Sequence, residues 1–340
     1  MKQNWKFWLG LGLVVGLHGC LFLIKAGRDP LWFQQDNYLG YAEAIIKGLR
    51  TGVVEFSDGW LFPGLAWLLY ALSWLTGDLI RSGIVLMGVS LIGIYYLSYL
   101  MLKDWHYALI VTLFPPIVLE QTSKLSTEAI VMFLLIFSYY LFSKKKYLLM
   151  SGLLGLATVV RPISGCLWLG LGLSLIKARK WKTLITSGGV FSAFLLLLAG
   201  FNWFYLNSNI WHQVRQYQAL GSITMPIVQL VKDVIRAVDW GYWRILISGL
   251  GYVGLSLGLV VKTVKRTGDL LSQGDGLMVK TWAGLTLIYV LAVGPVPMLE
   301  EFRRYIAVLF PLILVVNFKV LGKSKLFRWG SVMLSLMAFL

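Results

Sequence analysis

Apolar runs of 14 to 24 residues recur along almost the whole chain, separated by short loops that hold most of the Lys and Arg. A run of roughly 20 apolar residues matches the hydrocarbon thickness of a bilayer. Inside that layer no water is present to satisfy backbone N–H and C=O groups, so such runs fold as helices. The expected architecture is therefore all-α, a polytopic transmembrane helical bundle of about 11 spans. A composition 58% hydrophobic and only 14% charged excludes an ordinary soluble domain. The formal charge of +16 would otherwise point to nucleic acid. The basic residues sit in loops between apolar runs, which is the pattern of membrane insertion, and nucleic-acid binding is set aside on that ground.

The first expected span is Phe7 to Ala26, preceded by Lys2 and Lys6. His18-Gly19-Cys20 faintly resembles a lipoprotein cleavage site, but the apolar run continues through Ile24, so the span is read as uncleaved. Cys20 and Cys166 both lie in apolar segments and carry no redox information. A polar first loop covers 27–81 and includes a compact apolar piece, Phe62–Thr76, opened by Pro63-Gly64. Further runs lie at about 82–102, 107–120, 129–142, 147–160, 163–176, 183–206, 242–261, 281–297, 304–318 and 328–340. A longer loop occupies 207–241 and carries His212, Arg215, Tyr217, Lys232, Asp233, Arg236 and Asp239. No linker divides these runs, so the chain is read as one transmembrane domain, 1–340.

Basic clusters follow the runs ending at 102, 142, 176, 261 and 318, and they mark one side as cytoplasmic together with the N-terminus. The alternation works only if one early run fails to cross. Phe62–Thr76 is the candidate: about 15 residues is short for a crossing, and Pro and Gly stand at its mouth. Twelve of the 15 Asp and Glu then fall on the other side, with only Asp104, Asp269 and Asp275 cytoplasmic. Acids do little to set topology, so this segregation points to chemistry on the non-cytoplasmic face of a membrane, read as a prokaryotic plasma membrane.

The outer polar groups form a short set. Asp36 follows the first span directly and precedes a short amphipathic helix holding Asn37, Tyr41 and Glu43. The second outer loop, 120–128, brings Lys124 and Glu128 to the start of a span. Arg161-Pro162 forms a two-residue turn between apolar runs, and Glu300-Glu301-Phe302-Arg303-Arg304-Tyr305 forms the last outer turn. Each group also has a structural reading. Asp36 can cap a helix, Glu43 can be solvated, and Glu128 suits a helix dipole. Arg303 and Arg304 can pair with Glu300 and Glu301. Arg161 is harder to explain by structure alone, because an ionisable group at that depth needs an anionic partner or a function. The arginine pair beside Tyr305 suits a phosphate through bidentate hydrogen bonding. His18, His106 and His212 have no metal-ligand spacing. No phosphate loop, dinucleotide fingerprint or serine nucleophile motif is present.

In segment order, and most strongly over 1–206, the chain resembles the GT-C superfamily of polyprenyl-phosphate-sugar-dependent glycosyltransferases, such as the protein O-mannosyltransferases and aminoarabinose transferases. The resemblance rests on Asp36-Asn37 with Tyr38, Tyr41-Ala42 and Gly48, on Ser126-Thr127-Glu128 opening a span, on Ala157 through Pro162, and on Arg304-Tyr305 before Pro311. It implies a membrane enzyme that moves a hexose, mannose among the candidates, from a polyprenyl-phosphate donor to a glycan, lipid or protein acceptor. Asp36 would act as base and Glu128 as a second acid supporting acceptor or metal. Arg161, Arg303, Arg304 and Tyr305 would hold the donor phosphate. Asn37, Tyr41, Glu43 and Lys124 would line the cavity. The family often has a second acid where this chain has Asn37, so a divalent metal is compatible with the sequence but not required by it. The run ending at Leu340 leads to the expectation of a member without acceptor-binding modules, or of a cut chain. The alternative reading is a transporter or flippase of lipid-linked sugars.

Overall fold

The computed structural model describes residues 4–29, 31–34, 37–55, 61–113, 116–209, 211–219, 273–292 and 308–317, with a few single positions between 228 and 261. Every regular element among these is helical. In order they are α1 (Asn4–Arg28), α2 (Tyr38–Thr51), α3 (Gly64–Thr76), α4 (Leu79–Leu102), α5 (Trp105–Leu113), α6 (Pro116–Thr122) and α7 (Thr127–Ser143). Then follow α8 (Tyr147–Val160), α9 (Gly165–Lys177), α10 (Trp181–Tyr205), α11 (His212–Ala219), α12 (Gln273–Ala292) and α13 (Phe310–Val316). Short 3-10 turns stand at Trp32–Gln34 and Pro162–Ser164. The all-helical expectation is borne out. Three helices, α1, α4 and α10, are long and apolar enough to cross a membrane, which supports membrane association. α3, α7, α8 and α9 are shorter apolar helices.

One helix organises the others. α7 is apolar on nearly every side and is buried almost along its full length, from Thr127 to Phe142. A helix hydrophobic all round belongs in a core, not at a surface. α4, α8 and α13 pack around it. The outer helices differ: α1 buries Val14 and Leu21 but leaves Leu13, Val15, Leu23 and Ile24 exposed. That exposed apolar face is what a lipid-contacting helix presents.

The two ends of the bundle are distinguished by specific contacts. At one end Tyr95, late in α4, donates its hydroxyl to the Phe7 carbonyl near the start of α1 at 3.1 Å. Lys103, Lys144–Lys146 and Lys177–Lys182 flank helices at this end. At the other end the Phe33 ring and Leu125 press on Gly83, early in α4. The Leu125 N–H donates to the Phe33 carbonyl at 3.1 Å, and the Val54 N–H to that of Tyr205 at 3.1 Å. The second end gathers the start of α2, the start of α7, the end of α8 and the end of α10.

α3 begins and finishes at this second end. Its Gly64 sits against the terminal turn of α8, where an added Cβ would lie 2.5 Å from the Val160 nitrogen and 2.7 Å from the Val159 oxygen. Its last residue, Thr76, hydrogen-bonds Ser82 in the first turn of α4 at 2.7 Å. With 13 residues α3 is about 20 Å long, below the roughly 30 Å of a hydrocarbon core. The expected span over 107–120 is two helices instead, α5 and α6. Pro116 opens α6, the position where a missing N–H costs nothing. The expected runs at 242–261 and 328–340 lie largely or wholly outside the described residues.

Because Gly64 meets backbone and not flexible side chains, Gly64→Ala should lower the detergent melting midpoint, with an overpacking cost of about 1–3 kcal/mol. Gly16→Ala, which has nothing within 4 Å of the added methyl, should leave the midpoint unchanged or raise it. Equal effects in thermal melts would show that α3 does not dock on α8 as described.

Candidate functional site

The polar residues of the α7–α8 junction are built by ordinary local rules. Ser126 caps α7: its backbone is extended and its Oγ accepts the Ala129 N–H at 3.3 Å. The same hydroxyl donates to the Gln121 carbonyl at 2.8 Å, which folds the 121–126 turn onto itself. Glu128 therefore falls in the first turn of α7, where the helix dipole favours a negative charge. At α8, Pro162 disfavours helical geometry in the preceding residue, so Arg161 is extended and ends the helix.

These two termini meet. Arg161 Nη1 lies 2.5 Å from Glu128 Oε1, with the Glu128 side chain fully buried and that of Arg161 only 11% exposed. Arg161 Nη1 also donates to Thr127 Oγ1 at 3.0 Å, and that hydroxyl in turn donates to Glu128 Oε2 at 3.2 Å. The three side chains close a small charged ring. Thr127 accepts one hydrogen bond and gives one, so its single hydroxyl serves both partners. The anionic partner that Arg161 requires is Glu128, 33 residues earlier in the chain.

The other expected residues distribute as follows. Asn37 is the N-cap residue of α2, in the left-handed conformation with φ 54°, and its carbonyl accepts the Tyr41 N–H at 3.1 Å. The cap position expected for Asp36 under its structural reading is thus held by Asn37. Asp36 itself, with Arg303, Arg304 and Tyr305, lies outside the described residues. Tyr41 is buried in the core, and burial raises its phenol well above the usual tyrosine range, so it serves as a neutral hydrogen-bonding group. Glu43 is exposed on the far face of α2 and is not directed into the core with Tyr41. Lys124 is 5% exposed, with its ammonium 5.6 Å from the Trp32 ring centroid. Among the described residues no group of three His, Cys, Asp or Glu is placed to hold a metal.

Several residues at this end were not singled out by sequence reasoning. Trp32 donates its indole N–H to Ser123 Oγ at 3.3 Å. Its signal was position, an aromatic just beyond a membrane-length helix. Asn202 and Gln213, both fully buried, exchange two amide hydrogen bonds of 3.0 Å and dock α11 on the end of α10. Two amides 11 residues apart leave no periodic trace. Gln121 is fully buried, and neither atom of its side-chain amide has a hydrogen-bond partner among the described residues.

Removing one member of a buried ion pair strands the other charge, at a cost of about 3–5 kcal/mol, whereas replacing both by apolar groups is far cheaper. Arg161→Met and Glu128→Leu should each lower the melting midpoint strongly, and the double variant should recover most of the loss. Additive losses in the double variant would show that the two side chains do not interact. No family model matches the chain, and no curated protein sequence matches it.

Proposed function

We propose that the chain is a multi-pass membrane glycosyltransferase of the GT-C type, moving a sugar from a polyprenyl-phosphate donor to an acceptor on the non-cytoplasmic face. The observation that carries this reading is the buried Arg161–Thr127–Glu128 ring, set at the bundle end where α2 and α3 lie and opposite the basic loops. Charges that are costly to bury are concentrated where a lipid-linked substrate would present its headgroup, and Lys-rich loops mark the other end as cytoplasmic. α3, with both ends on one side, fits a helix that roofs a cavity at the bilayer surface.

In this reading Asp36 accepts the proton of the acceptor nucleophile as that nucleophile attacks the anomeric carbon. The bond from that carbon to the phosphate oxygen breaks, and the polyprenyl phosphate leaves with the electron pair. Arg303 and Arg304, with Tyr305, meet the charge on the leaving phosphate. Glu128 is paired with Arg161, so its role is to fix the guanidinium. Arg161 then contributes a cation whose position is set before substrate arrives. The site needs no metal in this scheme.

Asp36→Asn should reduce sugar transfer from a radiolabelled polyprenyl-phosphate hexose by at least about a hundredfold, the ordinary scale of losing a general base, with donor binding retained. Undiminished transfer by the variant would sink the mechanism. A flippase would instead move the donor across vesicles equally well with either residue. Orientation is tested separately by placing single cysteines at Leu75 and Lys145 after replacing Cys20 and Cys166 with Ser. A membrane-impermeant maleimide applied from outside should label the first and spare the second. The reverse pattern would invert the topology.

A further inference from the structure

The end of the bundle opposite the Arg161–Glu128 ring carries two turns built alike. Between α7 and α8, the Lys145 N–H donates to the Phe142 carbonyl at 2.8 Å and the Lys146 N–H to that of Leu141 at 2.9 Å. Between α9 and α10, the Arg179 N–H donates to the Ile176 carbonyl and the Lys180 N–H to that of Leu175, both at 2.9 Å. Each pair of bonds closes a helix through one left-handed residue, Lys145 with φ 57° and Arg179 with φ 55°. That conformation favours glycine, because an L side chain there crowds the following carbonyl. After α2 and α3 the same position is glycine, Gly52 with φ 82° and Gly77 with φ 85°. At the basic end it is a cation in both turns, and Lys103, after α4, repeats the pattern with φ 55°.

The two turns adjoin. Lys180 Nζ lies 5.4 Å from the centroid of the Tyr147 ring, which opens α8 directly after Lys146. Lys144 Nζ stands 5.5 Å from the Tyr140 ring of α7. Lys144, Lys145, Lys146, Lys177, Arg179 and Lys180 are all exposed, and among the described residues none of them forms an ion pair. Asp104, a carboxylate of this end, caps α5 by accepting the Tyr107 N–H at 3.1 Å.

Six like charges on adjoining turns repel one another, and apolar helices do not need them in order to pack. The attraction of a helix C-terminus for cations would be met by Lys144 and Lys177 alone. Membrane insertion responds to the number of cations in a loop and is indifferent to the dihedral angles each one adopts. Neither account places a cation where glycine fits best. Apolar side chains lie just beyond the turns: Leu148 and Leu149 near the start of α8 are exposed, as are Trp181 and Ile185 near the start of α10, and these two helices pack together. Cations standing over an exposed apolar flank with an interfacial tryptophan match the edge of a lipid leaflet.

We propose that the two turns form one binding surface for an anionic phospholipid headgroup. Lys145 and Arg179 meet the phosphate, the flanking lysines raise the local potential, and the acyl chains lie against Leu148, Leu149 and Ile185. The surface requires only that the bundle sits in a bilayer. It depends neither on the glycosyltransferase reading nor on which leaflet is cytoplasmic.

The test uses the full chain in detergent micelles containing phosphatidylglycerol or phosphatidylcholine at equal concentration. Native mass spectrometry counts the retained lipid, and a thermal melt is recorded without lipid. Wild type should retain phosphatidylglycerol in preference to phosphatidylcholine. Lys145→Gly should weaken that retention about fivefold, and Lys145→Gly with Arg179→Gly about thirtyfold, the scale of one and of two cations at an anionic surface. The melting midpoint of the glycine variants should hold or rise, since glycine suits the left-handed position. Lys145→Gln with Arg179→Gln keeps a side chain at each place and should lose lipid as the glycine pair does. Lys47→Gln with Arg50→Gln, exposed on α2, removes the same charge elsewhere and should retain lipid like wild type. Equal retention of the two lipids by wild type would overturn the proposal. So would undiminished retention in either double variant of the turns, or an equal loss in the α2 pair, because lipid would then follow net charge and not a place.

Discussion

A guanidinium and a carboxylate buried together in an apolar bundle constrain everything around them. Moving either ion alone out of water costs several kcal/mol even after relaxation, and only close pairing with further hydrogen bonds offsets that cost. Arg161 and Glu128 meet the condition through direct contact and through Thr127, which serves both. The pair can form only if α8 ends where α7 begins. It therefore fixes the relative register of two helices whose apolar surfaces would tolerate sliding. Apolar packing makes the bundle compact, and the ion pair specifies one alignment of α7 against α8.

The same logic extends to the rest of that end. Where water is scarce, each polar side chain must find a partner or be excluded. Asn202 and Gln213 satisfy each other, Trp32 is satisfied by Ser123, and Ser126 bridges Gln121 and Ala129. These are separate local solutions, yet they converge on one end of the molecule. Among the described residues, the opposite end is held by fewer such contacts, such as Tyr95 on Phe7 and Tyr107 on the Leu314 carbonyl, and its lysines stand at helix ends. An asymmetric distribution of this kind is not needed for folding, since apolar side chains at both ends would pack as well.

Much of this was legible in the sequence, for reasons that can be named. Apolar runs announce helices because oil leaves the backbone no alternative. The Phe62–Thr76 piece stands apart in the sequence by its length and by Pro63-Gly64, and Gly64 is a point where α3 touches the α8 backbone. Arg161 stood out because an ionisable group at that depth needs an anionic partner or a function. Its partner did not stand out, since a pairing across 33 residues depends on how α7 and α8 fold back and not on local spacing. Lys124 is a cavity candidate in the sequence, but only the folded turn shows it buried against Trp32. The 107–120 run was misjudged because its hydropathy continues through Pro116, which opens a new helix. Hydropathy records what a segment is soluble in, and proline records where a helix can go; at that place the two disagree.

Under the proposed sugar transfer, the ion pair also changes how charge would be apportioned. An arginine whose fixed neighbour is a buried carboxylate presents little net charge at a distance, so it adds little to drawing a phosphate from the bilayer. Its guanidinium still offers N–H groups in a fixed direction, which matters when charge develops in a transition state. Capture and stabilisation are therefore separable tasks. In the proposed transfer, stabilisation would fall to such an already paired group, and the substrate would not have to displace Glu128 in order to bind.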